Sequence, residues 1–574
     1  MEEKTLANYK RWLNSPLVSE EDKEILKNMS SEEIDDAFFQ DIQFGTAGMR
    51  GIIGPGTNRM NVFTIRKACI GYARFLLSKY TDACSRGVAI SHDNRHMSRE
   101  FTLECASILN EMGINTFIFN SLRPTPELSY AIRYKGCCGG IMITASHNPK
   151  EYNGFKVYDS YGCQLTPNKI TPLVDIISKL PDELSVSVIG VTNKGKNVVL
   201  GPDVDDTYVA LVETVQLNPN LDKSDFKIVY TPNHGASYVN AMRVFKECGY
   251  NVTPVLSQCS PDPDFKGTLS PNPEEPKSYI EPIKLAKEID ADLVCMTDPD
   301  GDRVGLACKN RNGEYVLLTG NESAAILLDY ILSERKKKGF LSNNGVMYNT
   351  VVTSSIGKKI ASSYGVKTES FLTGFKYIGD RIQFYEEHGG PTFEFGYEES
   401  YGCLIKPFVR DKDGIQAILL YCEMALYYKK LGITLDEAYH NLGLRYKFHK
   451  AKQFSIYFKG SSGSEKMNEI MDRLMEHPFH ELLGNKVKII ENYFNLTRTN
   501  LDENYIENIM GLPVGDLIKF YFEDGSTVSI RPSGTESKCK FYIEIVSEDE
   551  RVANELPEKY YRALLEKENL LDLL

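Results

Sequence analysis

No apolar run in the chain approaches the ~18 residues that a membrane-spanning helix requires, and positive charge is in short supply. Lys and Arg total 66 against 78 Asp and Glu, a formal net charge of −12, whereas a nucleic-acid or anionic-membrane surface demands concentrated positive charge. Both partner classes are therefore excluded as expectations. An anionic small molecule remains admissible through a locally basic pocket. CxxC pairs are absent, and the 13 cysteines are scattered singly apart from Cys137 and Cys138, so neither a zinc site nor a disulfide framework is legible. The odd count fits a reducing compartment. A GxxxxGK[ST] loop is missing too, which removes support for ATP-driven phosphoryl transfer. The opening MEEKTLANYKRW is polar, without a signal-peptide core, and a cytoplasmic location is expected.

What is present is the balance of a globular enzyme: 42% hydrophobic, 11% aromatic and 25% charged residues. At about 100–200 residues per domain, 574 residues imply roughly three to five domains. Between Asn61 and Tyr80, Ile65, Ala68, Cys69, Tyr72, Phe75 and Leu76 fall on one helical face, and Val88 to Ser91 reads as a short buried strand. Lys227 to Tyr230, Leu293 to Met296 and Val346 to Tyr348 repeat that strand pattern, each followed by a polar segment. Strands alternating with longer amphipathic helices predict βαβ units in mixed, mostly parallel sheets, with ligands beyond the strands' carboxyl ends. The stretch from Pro181 to Asp206 reads as a linker, with further breaks near Gly313 to Gly320 and after Gly443.

Asp298, Asp300 and Asp302 alternate in DPDGDR directly after an apolar run, so three carboxylates can face one point. A hard cation such as Mg²⁺ suits that donor set. An EF-hand is excluded, since Arg303 stands where that loop needs Gly and Lys309 where it needs Glu. In TASHNP, Ser146 follows the run Gly140 to Ile143, and no flanking glycines make it a nucleophile elbow. Taken alone, Ser146 and Asn148 serve equally well as turn formers before Pro149. The loop Arg531 to Lys538 combines a guanidinium, hydroxyls, a glycine and a lysine, which can cradle phosphate oxygens or simply make a turn.

TASHNP, DPDGDR, GYEES (396–400) and RPSGTE (531–536) occur together in an order that resembles the α-D-phosphohexomutases over nearly the whole chain. FGTAGMRG (44–51) and TGFKYIG (373–379) resemble more narrowly the long phosphoglucomutase and phosphopentomutase branch. The resemblance implies an α/β fold of four domains: three related mixed-sheet units and a smaller C-terminal α+β domain. The expected boundaries are 1–200, 201–317, 318–445 and 446–574. It also implies a phosphoserine at Ser146 and one Mg²⁺ held by Asp298, Asp300, Asp302 and a phosphoserine oxygen. Arg50 and Arg303 would flank the transferring group. His147, Lys156 and Lys412 would be catalytic, with the choice of acid or base left open. Thr373, Gly374, Lys376, Glu398 and Ser400 would read the sugar, and Arg531, Ser533, Gly534 and Thr535 the distal phosphate.

The implied reaction interconverts glucose 1-phosphate and glucose 6-phosphate, with glucose 1,6-bisphosphate as intermediate and activator, in a monomer or homodimer. Pentose or mannose phosphates are the alternatives within the family. A haloacid-dehalogenase-type phosphatase is disfavoured because Asp302 stands where that signature wants Thr or Ser. A catalytically silent sugar-phosphate sensor is disfavoured because the serine and all three aspartates are kept. Three positions depart from the family pattern: Ser537 for a proline, Met49 for a leucine and Tyr377 for a frequent tryptophan.

Overall fold

The computed structural model describes residues 2–45, 48–457, 460–532, 538–568 and 570, with side chains described throughout except at 460–465. It divides into two compact bodies, Met1–Gly320 with Phe375–Gly432, and Asn321–Gly374 with Ile433–Leu574.

The first body holds two mixed sheets. Strands β1 (Met49–Ile52), β2 (Val88–His92), β3 (Thr116–Phe119), β4 (Gly139–Ile143), β5 (Tyr152–Tyr158) and β6 (Asn197–Leu200) form a six-stranded sheet in the order β1-β5-β4-β2-β3-β6. β4, β2, β3 and β6 run parallel, while β5 and β1 are antiparallel to their neighbours. β2 and β4 are buried along their whole length, as strands with helices on both faces must be. The predicted helix spans Val62–Lys79, capped by Asn61, whose side chain accepts from the Phe63 and Thr64 amides. Such a cap is worth about 1 kcal/mol. Its Ile65, Cys69, Tyr72 and Leu76 enter the core with Ile90, Ile141 and Phe155.

The second sheet comprises β7 (Lys227–Thr231), β8 (Asn251–Pro254), β9 (Leu293–Thr297), β10 (Val304–Lys309) and β11 (Tyr315–Leu318), ordered β11-β10-β9-β7-β8. β8, β7 and β9 are parallel, and β10 and β11 are antiparallel additions. The first body is completed by the antiparallel pair Thr392–Tyr397 and Cys403–Leu404 and by the helices Lys376–His388 and Gly414–Lys430.

In the second body, strands Gly345–Thr350 and Lys367–Phe371 pair in parallel. A C-terminal antiparallel sheet runs from Phe448–Tyr457 through Lys538–Ser547, Thr527–Pro532, Ile518–Phe522 and Asn485–Asn492 to two short outer strands. One face packs Ile518, Phe520, Val528, Phe541 and Ile543 with Met471, Leu474 and Leu564, from the helices Gly460–Glu476 and Glu550–Lys567.

The three expected breaks carry structure of their own. The stretch from Pro181 to Asp206 is not simply a linker: β6 lies inside it and extends the first sheet through β3, and Leu184 and Val186 are buried. Its Gly, Lys and Asn residues masked a four-residue edge strand. The segment Gly313 to Gly320 also carries structure, since Gly313 turns a hairpin and β11 pairs with β10, and the leading segment of the first body ends at Gly320. The helix Leu435–Tyr446 ends just past Gly443, and a new strand begins at Phe448.

Candidate active site

Two loops leave neighbouring strand ends in the first body and meet. Ser146 lies just beyond the carboxyl end of β4, 3% exposed, and its hydroxyl donates to Asp298 Oδ2 at 2.7 Å. His147 Nδ1 is 3.3 Å from the same hydroxyl. Ser146 has φ 52°, a left-handed conformation that costs a residue with a Cβ roughly 1–2 kcal/mol. It is held there by its amide, which donates to Thr144 Oγ1 at 2.8 Å, and by its carbonyl, which accepts from Arg95 at 2.6 Å.

The second loop follows β9. Asp298 Oδ1 accepts from the Asp302 and Arg303 amides, which closes the turn around Gly301. Only glycine fits there: φ is 70°, and a Cβ would come within 2.8 Å of Pro124 Cβ. The loop after β7, TPNHGAS, supports this turn from beneath. Asn233 donates to the Thr297 carbonyl at 2.9 Å and the Ala236 amide to the Pro299 carbonyl at 2.8 Å.

Oxygen atoms of Asp298, Asp300 and Asp302 lie within 4.8 Å of one another, and all three residues are buried. Asp300 Oδ2 accepts from Lys156 Nζ at 2.8 Å and Thr125 Oγ1 at 3.1 Å. Asp302 Oδ2 pairs with Lys412 Nζ at 3.1 Å. The second oxygens, Asp300 Oδ1 and Asp302 Oδ1, are buried with no hydrogen-bond partner among the described residues. Leaving such atoms unpaired is costly. An all-oxygen set whose members lie within 4.8 Å of one another, with two buried oxygens lacking a hydrogen bond, fits a hard divalent cation.

Burial, followed by repulsion from Asp300 and Asp302, holds the Asp298 carboxyl well above the usual carboxylate range. Asp302 is raised by burial and by Asp300. For Asp300 burial is the largest influence and acts upward, but the Lys156 ammonium, the hydrogen bond with Asp298 and the Lys412 charge together outweigh it and hold the group below its ordinary value. Burial opposes the charge of Lys412, yet Asp302, Asp411 and Glu398 keep it firmly cationic. Arg303 is treated the same way by Glu274, Asp302 and Asp298, and it donates to Glu274 Oε1 at 2.8 Å.

Among the residues predicted from sequence, Ser146, His147, Lys156, Asp298, Asp300, Asp302, Arg303, Lys412 and Glu398 converge here, Glu398 Oε2 lying 3.8 Å from Lys412 Nζ. Arg50, on β1, reaches the Ser146 loop through Asn148 Oδ1 at 2.8 Å. Lys376 is buried at the start of its helix, next to Phe375, whose ring faces Lys412 at 5.7 Å. Ser400 is half-buried two residues beyond Glu398. Thr373, Gly374 and Arg531 belong to the second body, where Arg531 sits on the strand Thr527–Pro532 opposite Lys540. Ser533, Gly534, Thr535 and Ser537 lie outside the described residues.

Sequence reasoning missed Asp93, Arg95, Thr125, Thr144, Glu274 and Asp411. For Asp93 and Arg95 the available signal was SHDNRHMS, a polar segment leaving the predicted strand at Val88, and for Thr144 its place in TASHNP.

Four family models match in order. These are phosphoglucomutase/phosphomannomutase α/β/α domain I over residues 41–183, domain II over 206–313, domain III over 319–444 and the C-terminal domain over 488–558. The chain is 36% identical to a phosphoglucomutase of Staphylococcus epidermidis, covering 91% of this chain and 94% of that one. It is 35% identical to a phosphoglucomutase of Staphylococcus aureus, covering 91% and 93%. Its fold matches a phosphoglucomutase/phosphomannomutase family protein from Burkholderia thailandensis, with TM-score 0.65, 17% identity and coverage of 92% and 97%. The open form of pp63/parafusin from Paramecium matches with TM-score 0.65, 19% identity and coverage of 92% and 95%.

Proposed function

The chain belongs to the phosphoglucomutase/phosphomannomutase family, and on that premise we propose that it interconverts α-D-glucose 1-phosphate and glucose 6-phosphate through a phosphorylated Ser146. The observation that carries this reading is the Ser146 hydroxyl, set 2.7 Å from one member of a buried aspartate triad with two lysines on the other members.

Phosphoryl transfer through a loose transition state needs alignment and charge neutralisation more than covalent help. Asp298, Asp300 and Asp302 would hold one Mg²⁺, together with an oxygen of the phosphorylated serine. When bound, that ion supplies positive charge to the transferring group. Arg50 and Arg303 flank the group. His147, 3.3 Å from the Ser146 hydroxyl, is placed to take the proton of the accepting hydroxyl, while the ammonium groups of Lys156 and Lys412 are the counter-charges beside Asp300 and Asp302 and can return a proton as acids. Glu398 and Ser400, with Thr373, Gly374 and Lys376, read the sugar hydroxyls. Arg531, Ser533, Gly534 and Thr535 grip whichever phosphate is not reacting. Glucose 1,6-bisphosphate forms, turns over, and returns its other phosphate to Ser146.

The relatives named above are phosphoglucomutases, which favours glucose over the mannose and pentose alternatives. A coupled assay across α-D-glucose, mannose and ribose 1-phosphates, with a catalytic trace of glucose 1,6-bisphosphate, tests the reading. The largest kcat/KM is expected for glucose 1-phosphate. A larger value for either other sugar would reassign the substrate.

A further inference from the structure

The parallel pairing of β2 and β4, with His92 opposite Ile143, brings the segment Asp93–Ser98 alongside the segment that carries Ser146. Asp93 and Arg95 are both essentially buried, and neither touches the aspartate triad by hydrogen bond. All five N–H groups of the Arg95 guanidinium are spent on one task. Nε donates to Asp93 Oδ2 at 3.1 Å, NH1 to the carbonyls of Pro149 and Tyr152 at 2.8 and 3.1 Å, and NH2 to those of Ser146 and Asn148 at 2.6 and 2.5 Å. Four carbonyls of the 146–152 turn thus converge on a single side chain. The Phe265 ring lies over the guanidinium at 5.3 Å.

Asp93 closes the arrangement. Its Oδ1 accepts from the Arg95 amide and the Ser98 hydroxyl, and its Oδ2 accepts from Arg95 Nε and the Thr144 hydroxyl at 2.7 Å. Thr144 Oγ1 in turn accepts the Ser146 amide. One carboxylate therefore governs both peptide groups of Ser146: the amide through Thr144 and the carbonyl through Arg95. A left-handed residue with a Cβ persists only where its surroundings over-determine it, and these two arms supply that constraint.

We propose that Asp93 and Arg95 are positioning residues of the phosphoryl-transfer site: they lock Ser146 in its left-handed conformation and thereby aim its Oγ at the metal triad. This rests on the reading of Ser146 as the phosphoryl carrier. Lysine cannot replace the arginine, because an ammonium has three donors without a planar fork and cannot span four carbonyls.

The test uses the full chain and the variants Arg95→Lys, Thr144→Val and Thr144→Ser. Hydrogen exchange of the 144–152 backbone, followed without any substrate, reads the clamp itself. Exchange there should quicken in Arg95→Lys and Thr144→Val, while the β7 and β9 amides keep their protection. Turnover of glucose 1-phosphate reads the consequence. Supporting residues of this type typically cost 10–100-fold when lost, so kcat should fall by about that factor with KM within about twofold of wild type. Thr144→Ser, which restores the hydroxyl, should recover most of kcat and normal exchange.

Exchange unchanged in both disruptive variants would overturn the proposal, and so would a kcat loss no larger than the loss of folded protein. If Arg95→Lys fails to fold, Thr144→Val, which keeps the side-chain volume, decides alone. Wild-type inactivity on glucose phosphates would refute the substrate reading and leave the exchange result to judge the clamp.

Discussion

Asp300→Asn separates the triad's two roles, as counter-charge and as ligand, and the outcome can be worked from the geometry. Asparagine keeps the volume but removes the charge that Lys156 Nζ meets at 2.8 Å. Removing one partner from a buried ion pair costs about 3–5 kcal/mol. Against this stands repulsion within the triad, whose oxygens lie within 4.8 Å of one another. At an effective dielectric constant near 20, each ionised pair at that spacing costs about 3.5 kcal/mol. Asp298 is held above the usual carboxylate range, so only part of that repulsion operates in the metal-free protein. The two effects nearly offset, and metal-free Asp300→Asn should melt within a few degrees of wild type. What is lost is the ligand. A metal at 100 times its Kd stabilises the folded state by about 2.7 kcal/mol, and that increment should disappear. Thermal melts with EDTA and with excess MgCl₂, alongside turnover, make the check. An Asp300→Asn protein that still gains stability from Mg²⁺ and retains turnover would refute the assignment. So would one that unfolds without metal while wild type stays folded.

Three further outcomes follow from the same geometry. Lys519 is buried, donates to the Val351 carbonyl at 2.6 Å, and is pushed down to about 8 by burial and by nearby Lys358. The unfolded chain therefore binds the extra proton between about pH 8 and 10.5, so stability rises with pH across that window. At pH 7 the penalty approaches about 3 kcal/mol, and Lys519→Met, after losing a hydrogen bond worth about 1 kcal/mol, should melt higher than wild type at pH 7 but not at pH 10. A constant difference in denaturant midpoint across that range would contradict it. Arg531→Lys keeps the charge but loses the fork, so steady-state kinetics should show a raised KM and a lowered kcat; unaltered constants for this variant and for Arg531→Ala would leave the loop a turn. Chelation with EDTA should abolish turnover, and added Mg²⁺ should restore it.

The parts legible in the sequence were those in which chemistry and position coincide. Alternating Asp298, Asp300 and Asp302 after an apolar strand, and Ser146 after another, could be placed at strand ends because short buried strands announce themselves. Their meeting could not be read, since it depends on how the two sheets pack within one body. Edge strands were the weakest elements: β6 (NVVL) and β11 (YVLL) are only four residues long and partly exposed, and the polar, glycine-containing segments that lead into them read as a linker. Asp93 and Arg95 were passed over for a different reason. Arg95 donates to four backbone carbonyls and Asp93 accepts from Arg95, Ser98 and Thr144, and backbone partners leave no mark in a sequence.

The most direct measurement is to incubate the protein with glucose 1,6-bisphosphate and Mg²⁺, then locate the phosphoryl group by intact mass and peptide mapping, with Ser146→Ala in parallel. One phosphoryl group on Ser146 of the wild type, and neither label nor turnover in Ser146→Ala, is the expected result. A label on another residue, or full turnover by Ser146→Ala, would contradict the account.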